Sequence, residues 1–309
     1  MKLVLTPIFC ILTLNQVDAW SKAAHQLIAD IAAHHISDRA RDDMLGLLGM
    51  DKWSALRNWL VQESNWADTY ATDSSFAESE RYHYVHTTST CQPYDAARDC
   101  GDAPDSGVCL PNAIAYHIDV ALDQAIDPKI QIASLKHLVH YMADVHQPLH
   151  VGFRSDFGGN NFFVKTVNGT TFQNFHHLWD GEFIWDKTRE LKITHPRITH
   201  PRQMVDSLKH TSRPIYDSIA RPIRGVDLYN HTDVDAMVAS LVSETSRELT
   251  CKIYTNFETP SRKIRNRSKL SPIYTKRAGD IVYAQVRKAG IRLAALLNSI
   301  FLHRHEADE

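Results

Sequence analysis

Leu138-Val-His-Tyr-Met-Ala-Asp-Val-His-Gln-Pro-Leu-His150 decides both the fold of this chain and the chemistry that fold can host. A residue and the one four positions on lie one above the other on a helix, so His140 and Asp144 present two donors from one face. Their neighbours Leu138, Val139, Tyr141, Met142 and Val145 are apolar, which buries the helix around much of its circumference. An ionised aspartate held there needs a positive partner, because desolvation otherwise favours its protonated form; a divalent cation meets that need. Pro148 lacks the amide hydrogen of a helix interior, so a helix from Ile130 ends around Gln147 and delivers His150 from the bend that follows. A second pair at the same spacing, His176 and Asp180 in Asn174-Phe-His-His-Leu-Trp-Asp180, supplies the opposing wall of a zinc site. A lone pair of this kind is most often only a hydrogen-bonded pair. Two of them plus His150, in a chain with 18 histidines, favour metal. His137, His146 and His177 are out of phase with the ligand positions and read as hydrogen-bonded supports.

The rest of the chain sets the context. Its 309 residues, 43% of them hydrophobic and 23% charged, suffice for a substantial core. A formal charge of -2 and a pI near 6.8 argue against a broad basic surface that grips nucleic acid. Phosphate chemistry is not excluded, since three zinc ions add about six positive charges at one spot. Met1 to Ala19 reads as a secretory signal, with Lys2 before an apolar run and a small residue at the cleavage point, so the mature chain begins at Trp20. No later apolar run approaches the roughly 20 residues of a membrane span, which implies a released product with no membrane anchor. Sequons at Asn168, Asn230 and Asn266 fit that route. Cys10 leaves with the signal; Cys91, Cys100, Cys109 and Cys251 read as two disulfides, with three possible connectivities. Zinc held by cysteine is disfavoured because no Cys-x-x-Cys pair exists.

Helical spacing of apolar residues predicts helices over Trp20–Ile36, from Ser37 to Leu48, and over Leu56–Tyr70, Asn112–Gln124, Val234–Glu248 and Ala278–Phe301. Phe157-Gly158-Gly159-Asn160 is a turn, and Asn161–Val167 with Thr170–Phe172 about Asn168-Gly169 forms a small β-hairpin. From His195 to His231 the pattern predicts nothing firm. The expectation is a mainly α, single domain over 20–302, with a frayed tail at 303–309.

Six pieces in this order resemble the zinc-dependent, single-strand-preferring class I nucleases of fungi and plants, the S1/P1 type, which includes 3′-nucleotidases. They are Trp20-Ser-Lys-Ala-Ala-His25, Asn65-Trp-Ala-Asp68, His83-Tyr-Val85, His140-x3-Asp144-x5-His150, Gly158-Gly-Asn160 and His176-x3-Asp180. The resemblance implies a helical fold of the phospholipase C/nuclease type holding three Zn2+. Asp68, His83, His140 and Asp144 would hold one ion; the main-chain amine and carbonyl of Trp20, His25 and a shared Asp144 a second; and His150, His176 and Asp180 a third. It implies pairing of Cys91 with Cys251 and of Cys100 with Cys109. Asp68 would orient or deprotonate the attacking water, Tyr84 would stack on a base, and His86 would meet that base where fungal relatives carry an aspartate. Ala71 replaces a basic residue of the family pattern. The implied reaction is hydrolysis of P–O3′ bonds of single-stranded DNA and RNA, and of 3′-nucleotides, by a monomer. Two alternatives stand beside it. A zinc phospholipase C shares the His-x3-Asp-x5-His core but ends its ligand set with glutamate and spaces the first tryptophan and histidine further apart. A secreted protein that keeps zinc structurally is the other.

Overall fold

The computed structural model describes residues 20–71, 74–101, 107–191 and 202–306. The signal at Met1–Ala19 and residues 307–309 of the expected tail lie outside them. The described chain is mainly helical, as the apolar spacing predicts. Helix α1 (Lys22–Ala33) is buried along nearly all its length, which suits a sequence, KAAHQLIADIAA, made mostly of alanine, leucine and isoleucine and requires its one aspartate, Asp30, to be paired. Arg57 donates to both Asp30 oxygens at 2.6 and 2.9 Å. That fork ties α1 to α3 (Trp53–Glu63), which follows α2 (Asp38–Leu48).

Where one helix was expected over Leu56–Tyr70, the chain breaks after Glu63 and resumes as α4 (Trp66–Ala71), followed by a 3-10 turn over Ser74–His83. The interruption frees the Ser64 carbonyl to serve the metal-facing wall, as shown below. The short α5 (Ala96–Asp99) leads to α6 (Leu110–Leu122) and α7 (Pro128–Asp144), which pack against each other. Asp127 caps α7 by accepting from Lys129 N, with Pro128 in the first turn where its missing N–H costs nothing. This helix ends at Asp144, three residues before the expected Gln147. Amides of His146 and Gln147 close tight turns on Ala143 and Asp144, so the chain has already left the helix before Pro148.

The expected hairpin is smaller and differently paired. Strand β1 (Phe163–Lys165) runs antiparallel to β2 (Gln173–Asn174), not to Thr170–Phe172, and parallel to β5 (Ser268–Lys269). Beyond β2 come α8 (Phe175–His177), a wide π-type turn over Leu178–Glu182 and α9 (Phe183–Glu190). The stretch left without a firm expectation contains α10 (Arg202–Lys209) and α11 (Arg213–Ala220). Helix α12 (His231–Thr245) begins at Asn230, whose side chain accepts from Thr232 N and Asp233 N. After α13 (Cys251–Ile253), strands β3 (Thr255–Asn256) and β4 (Thr259–Lys263) form a two-stranded ribbon.

Helix α14 (Pro272–Glu306) is 35 residues long and packs on α1, α7 and α9. It extends through His303-Arg304-His305-Glu306, the first part of the expected tail, where Arg304 Nη1 donates to the Ala121 carbonyl and to Gln131 Oε1, both at 2.9 Å. It packs tightly on α1 at Gly290, where a Cβ would lie 2.6 Å from Ile31 Cγ2. Disulfides join Cys91 to Cys251 and Cys100 to Cys109, with Cα separations of 5.9 and 5.8 Å. Among the described residues no helix is long and apolar enough to cross a membrane. Asn168, Asn230 and Asn266 are all exposed.

Candidate metal centre

Three elements bring the first donors together: α4 carries Asp68, the end of the 3-10 turn carries His83, and the last two turns of α7 carry His140 and Asp144. His140 Nε2 lies 3.0 Å from His83 Nδ1, 3.2 Å from Asp68 Oδ1 and 3.2 Å from Asp144 Oδ2. His83 Nδ1 lies 3.1 Å from Asp144 Oδ2 and 3.5 Å from Asp68 Oδ1. A tetrahedron with zinc–ligand bonds of about 2.0–2.1 Å has edges of about 3.3–3.4 Å. Five contacts between four donors that scatter around this length make a cage of the right size.

Asp144 continues the array on its other side. Its Oδ1 lies 3.4 Å from His25 Nε2 and 3.5 Å from His150 Nδ1, so one carboxylate faces two neighbouring groups. His25 stacks on His140 with ring centroids 3.9 Å apart, and His25, His140 and Asp144 form one compact set of donors. The third set comprises His150, His176 and Asp180: His176 Nε2 is 3.5 Å from Asp180 Oδ2, and His150 Nε2 is 3.8 Å from Asp180 Oδ1. Asp180 sits in the π-type turn, a widening of the helix that recurs at functional sites. Trp20 is fully buried beside both sets: its indole donates to the Ala143 carbonyl at 2.9 Å, and the next amide, Ser21 N, donates to the Asp180 carbonyl at 3.0 Å.

Three of the imidazoles are held in one tautomer. His140, His150 and His176 direct Nδ1 at the carbonyls of Ser64, His83 and Gly158, each at 2.7 Å, which places the proton on Nδ1 and the lone pair on Nε2. Gly158 is needed for this: it has φ +60°, and a Cβ there would stand 2.5 Å from the Leu149 carbonyl. Gln147 bridges the third set, donating to Asp180 Oδ1 while its own oxygen accepts from Leu149 N. Its role depends on a contact 33 residues away in sequence, and only its place inside the HQPLH run hints at it.

Burial lowers His25 to about 4, with neighbouring His140 adding to the shift, and burial together with His150 lowers His176 to about 3, so both rings are neutral. Burial works against the charged form of Asp144, but His140 and His150 hold its carboxyl well below the ordinary value. Burial works against the charge on His140 too, and Asp68 and Asp144 raise it well above the ordinary value. Nε2 of His25, His150 and His176 and Oδ1 of Asp144 face into the three donor sets and are buried without a hydrogen-bond partner, whereas the unpartnered His25 Nδ1 and His83 Nε2 are the ring nitrogens turned away from them. Buried polar atoms are normally satisfied. Lone pairs left facing one another satisfy this rule when cations lie between them, so the donor set fits metal.

The supporting histidines stand apart from the donors. His146 donates from Nδ1 to the Met142 carbonyl at 2.8 Å and accepts from Arg292 Nη1 at 3.1 Å. His137 stacks on His117 at 4.2 Å, and His177 is exposed. Beside the donors, residues 84–86 run extended along His150–Gly152, with Val85 N bonded to the His150 carbonyl. Val85 therefore turns into the core, while Tyr84 and His86 turn out to line a cavity of about 310 Å³ together with Arg154 and Phe157. Burial, then Arg154 and His150, lowers His86 to about 4 and leaves it neutral. Phe157, absent from the expected site, holds φ +53° at the rim of this cavity.

Comparison with known proteins agrees with this geometry. A family model described as S1/P1 nuclease matches residues 20–302. Endonuclease 2 of Arabidopsis thaliana is 28% identical over 291 residues, covering 92% of this chain and 91% of the relative. Nuclease P1 of Penicillium citrinum is 26% identical over 298 residues, covering 91% and 97%. Nuclease S1 of Aspergillus oryzae is 32% identical over 165 residues, covering 52% and 53%. The match begins at Trp20 and takes in every donor from His25 to Asp180, and with that extent the chain belongs to the S1/P1 nuclease family.

Proposed function

We propose that this protein is a secreted zinc-dependent endonuclease that cleaves P–O3′ bonds of single-stranded DNA and RNA to 5′-phosphorylated products, and that it also acts on 3′-nucleotides. The observation that carries the reading is the cage formed by Asp68, His83, His140 and Asp144, whose spacings suit tetrahedral zinc. Those four residues would hold one ion; His25, Asp144 and the main chain of Trp20 a second; and His150, His176 and Asp180 a third. Bound zinc supplies Lewis acidity toward phosphoryl oxygens and makes water acidic enough to attack near neutral pH.

Each residue then has a separate task. Asp144, with no exposed side-chain surface, joins the first two sets. Asp68 keeps 17% of its side chain exposed, which leaves an oxygen to orient the attacking water and accept its proton. The buried imidazoles keep water out and their lone pairs aimed inward. A phosphate reaches donors this recessed only when its base is splayed out of a stack, and the Tyr84, His86 and Phe157 cavity receives that base. This is the source of single-strand preference. A neutral His86 offers the base one donor and one acceptor where an aspartate offers acceptors alone. Cleavage after Ala19 converts the Trp20 amide into an amine with a free lone pair, which couples processing to assembly of the second site.

Processed protein incubated with single-stranded DNA, RNA, 3′-AMP and phosphatidylcholine tests the reading. The first three are hydrolysed, a chelator stops this, and added zinc restores it. Turnover of phosphatidylcholine alone, or of none of them, contradicts it.

A further inference from the structure

The net charge of -2 conceals one strongly basic surface. From Lys252 to Lys269 the chain carries six cations, Lys252, Arg262, Lys263, Arg265, Arg267 and Lys269, against one carboxylate, Glu258. Every residue of β4 is exposed. Arg262, Lys263, Arg265 and Lys269 ring a cavity of about 220 Å³ that has no carboxylate in its lining. Among the described residues none of these four makes an ion pair. Lys165 and Lys269 stand in register across β1 and β5, a like-charge pairing that is unfavourable in a sheet unless something neutralises it. The Lys165 ammonium sits 4.6 Å above the ring of Phe172, which is 41% exposed.

From this surface we infer a second contact for the substrate: the basic β4–β5 segment binds the phosphodiester backbone of the single strand whose scissile bond lies at the metal centre. The inference rests on the nuclease reading above. Three observations select this occupant. An anionic polymer complements a ring of unpaired cations. An exposed aromatic ring beside a cation is the pairing used to hold single strands without sequence preference. The segment is also fastened to the metal centre at both ends. Upstream, Thr250 donates to the Pro148 carbonyl in the bend that delivers His150, and Cys251 is bonded to Cys91. Downstream, β5 pairs with β1, β1 pairs with β2, and Asn174 of β2 caps the turn that carries His176. The surface and the third set of donors therefore share one rigid frame, and a strand leaving the centre meets the cations in a fixed position.

The test is the quadruple substitution Arg262→Gln, Lys263→Gln, Arg265→Gln and Lys269→Gln in the processed holoprotein, with glycans trimmed because Asn266 lies within the segment. Binding of a labelled thymidine 20-mer is followed by fluorescence anisotropy across a salt series, in an Asp68→Asn background. Removing four phosphate contacts makes the plot of log affinity against log salt shallower by about 3 and weakens low-salt binding by about tenfold or more. In the otherwise unsubstituted protein the same four changes raise KM for polymeric substrate and leave 3′-AMP hydrolysis unaltered. The single substitution Arg265→Gln lowers the slope by about 0.7. Unchanged affinity and slope overturn the inference while leaving the nuclease reading intact. Stronger binding to heparin or to acidic vesicles than to the 20-mer also overturns it. Binding that depends on the segment, in a processed holoprotein without the Asp68 substitution that cuts no nucleic acid, overturns the nuclease reading and with it the role of the segment as a second substrate contact.

Discussion

At the scale of single residues, Asp144 is where the account is most exposed, because one buried carboxylate faces His83 and His140 with one oxygen and His25 and His150 with the other. Asp144→Asn is expected to lower kcat/KM by about 10³-fold or more, the loss of several kcal/mol of charge stabilisation, measured on single-stranded DNA at saturating zinc. Gln147→Leu removes the amide that orients Asp180 and leaves the donors themselves in place. It should weaken the third ion by about 10–100-fold, read by competition with a chromogenic chelator, with little change at the other two. The difference in legibility between these residues is physical. His140 with Asp144, and His176 with Asp180, can be read from sequence because the helix places residues four apart on one face. Asp68 and His83 follow no local period; one sits in a short helix and the other at the end of a 3-10 turn, and only resemblance singled them out. Gln147 and Phe157 act through contacts made by the folded chain and leave no such trace.

Among elements, the existence of helices was readable and their ends were not. Apolar spacing indicates where α1, α6, α7, α12 and α14 lie, but the break at Ser64-Asn65 goes unseen because the hydrophobic pattern continues across it. The reason for the break is tertiary: Ser64 offers its carbonyl to His140 instead of to a residue on its own helix. The second strand of the hairpin was misplaced for a similar cause, since β1 takes its second partner, β5, from a hundred residues downstream, where no local signal can report it. Close packing of α14 on α1 gives a prediction at this scale. Gly290→Val drives a branched side chain into Ile31 and the Ile28 carbonyl and should cost about 1–3 kcal/mol, seen as a lower denaturant midpoint. The Cys91–Cys251 bridge spans 160 residues, and replacing both cysteines by serine should cost about 2–5 kcal/mol in the same assay.

For the whole molecule, charge summed over the sequence is a poor guide, because it averages a basic segment and a donor-rich centre into a value near zero. Acid sensitivity is set instead by neutral histidines that are buried or half-buried. Burial lowers His117 to about 3, with His137 contributing; it lowers His137 to about 4; and burial with Arg292 lowers His146 to about 3. Unfolding returns each toward its ordinary value of 6.5. Between these values the unfolded chain binds more protons, so stability is full above about pH 6.5 and falls as pH drops toward 3–4. The thermal midpoint should decline across that window, and His117→Phe should flatten the decline. The central claim, that these donors assemble a three-ion centre, is tested most directly by elemental analysis of dialysed, active protein whose amino terminus is Trp20. The account requires about three zinc ions per chain, falling to about one in Asp144→Asn, where only the set of His150, His176 and Asp180 survives. Active protein that contains no transition metal would contradict it.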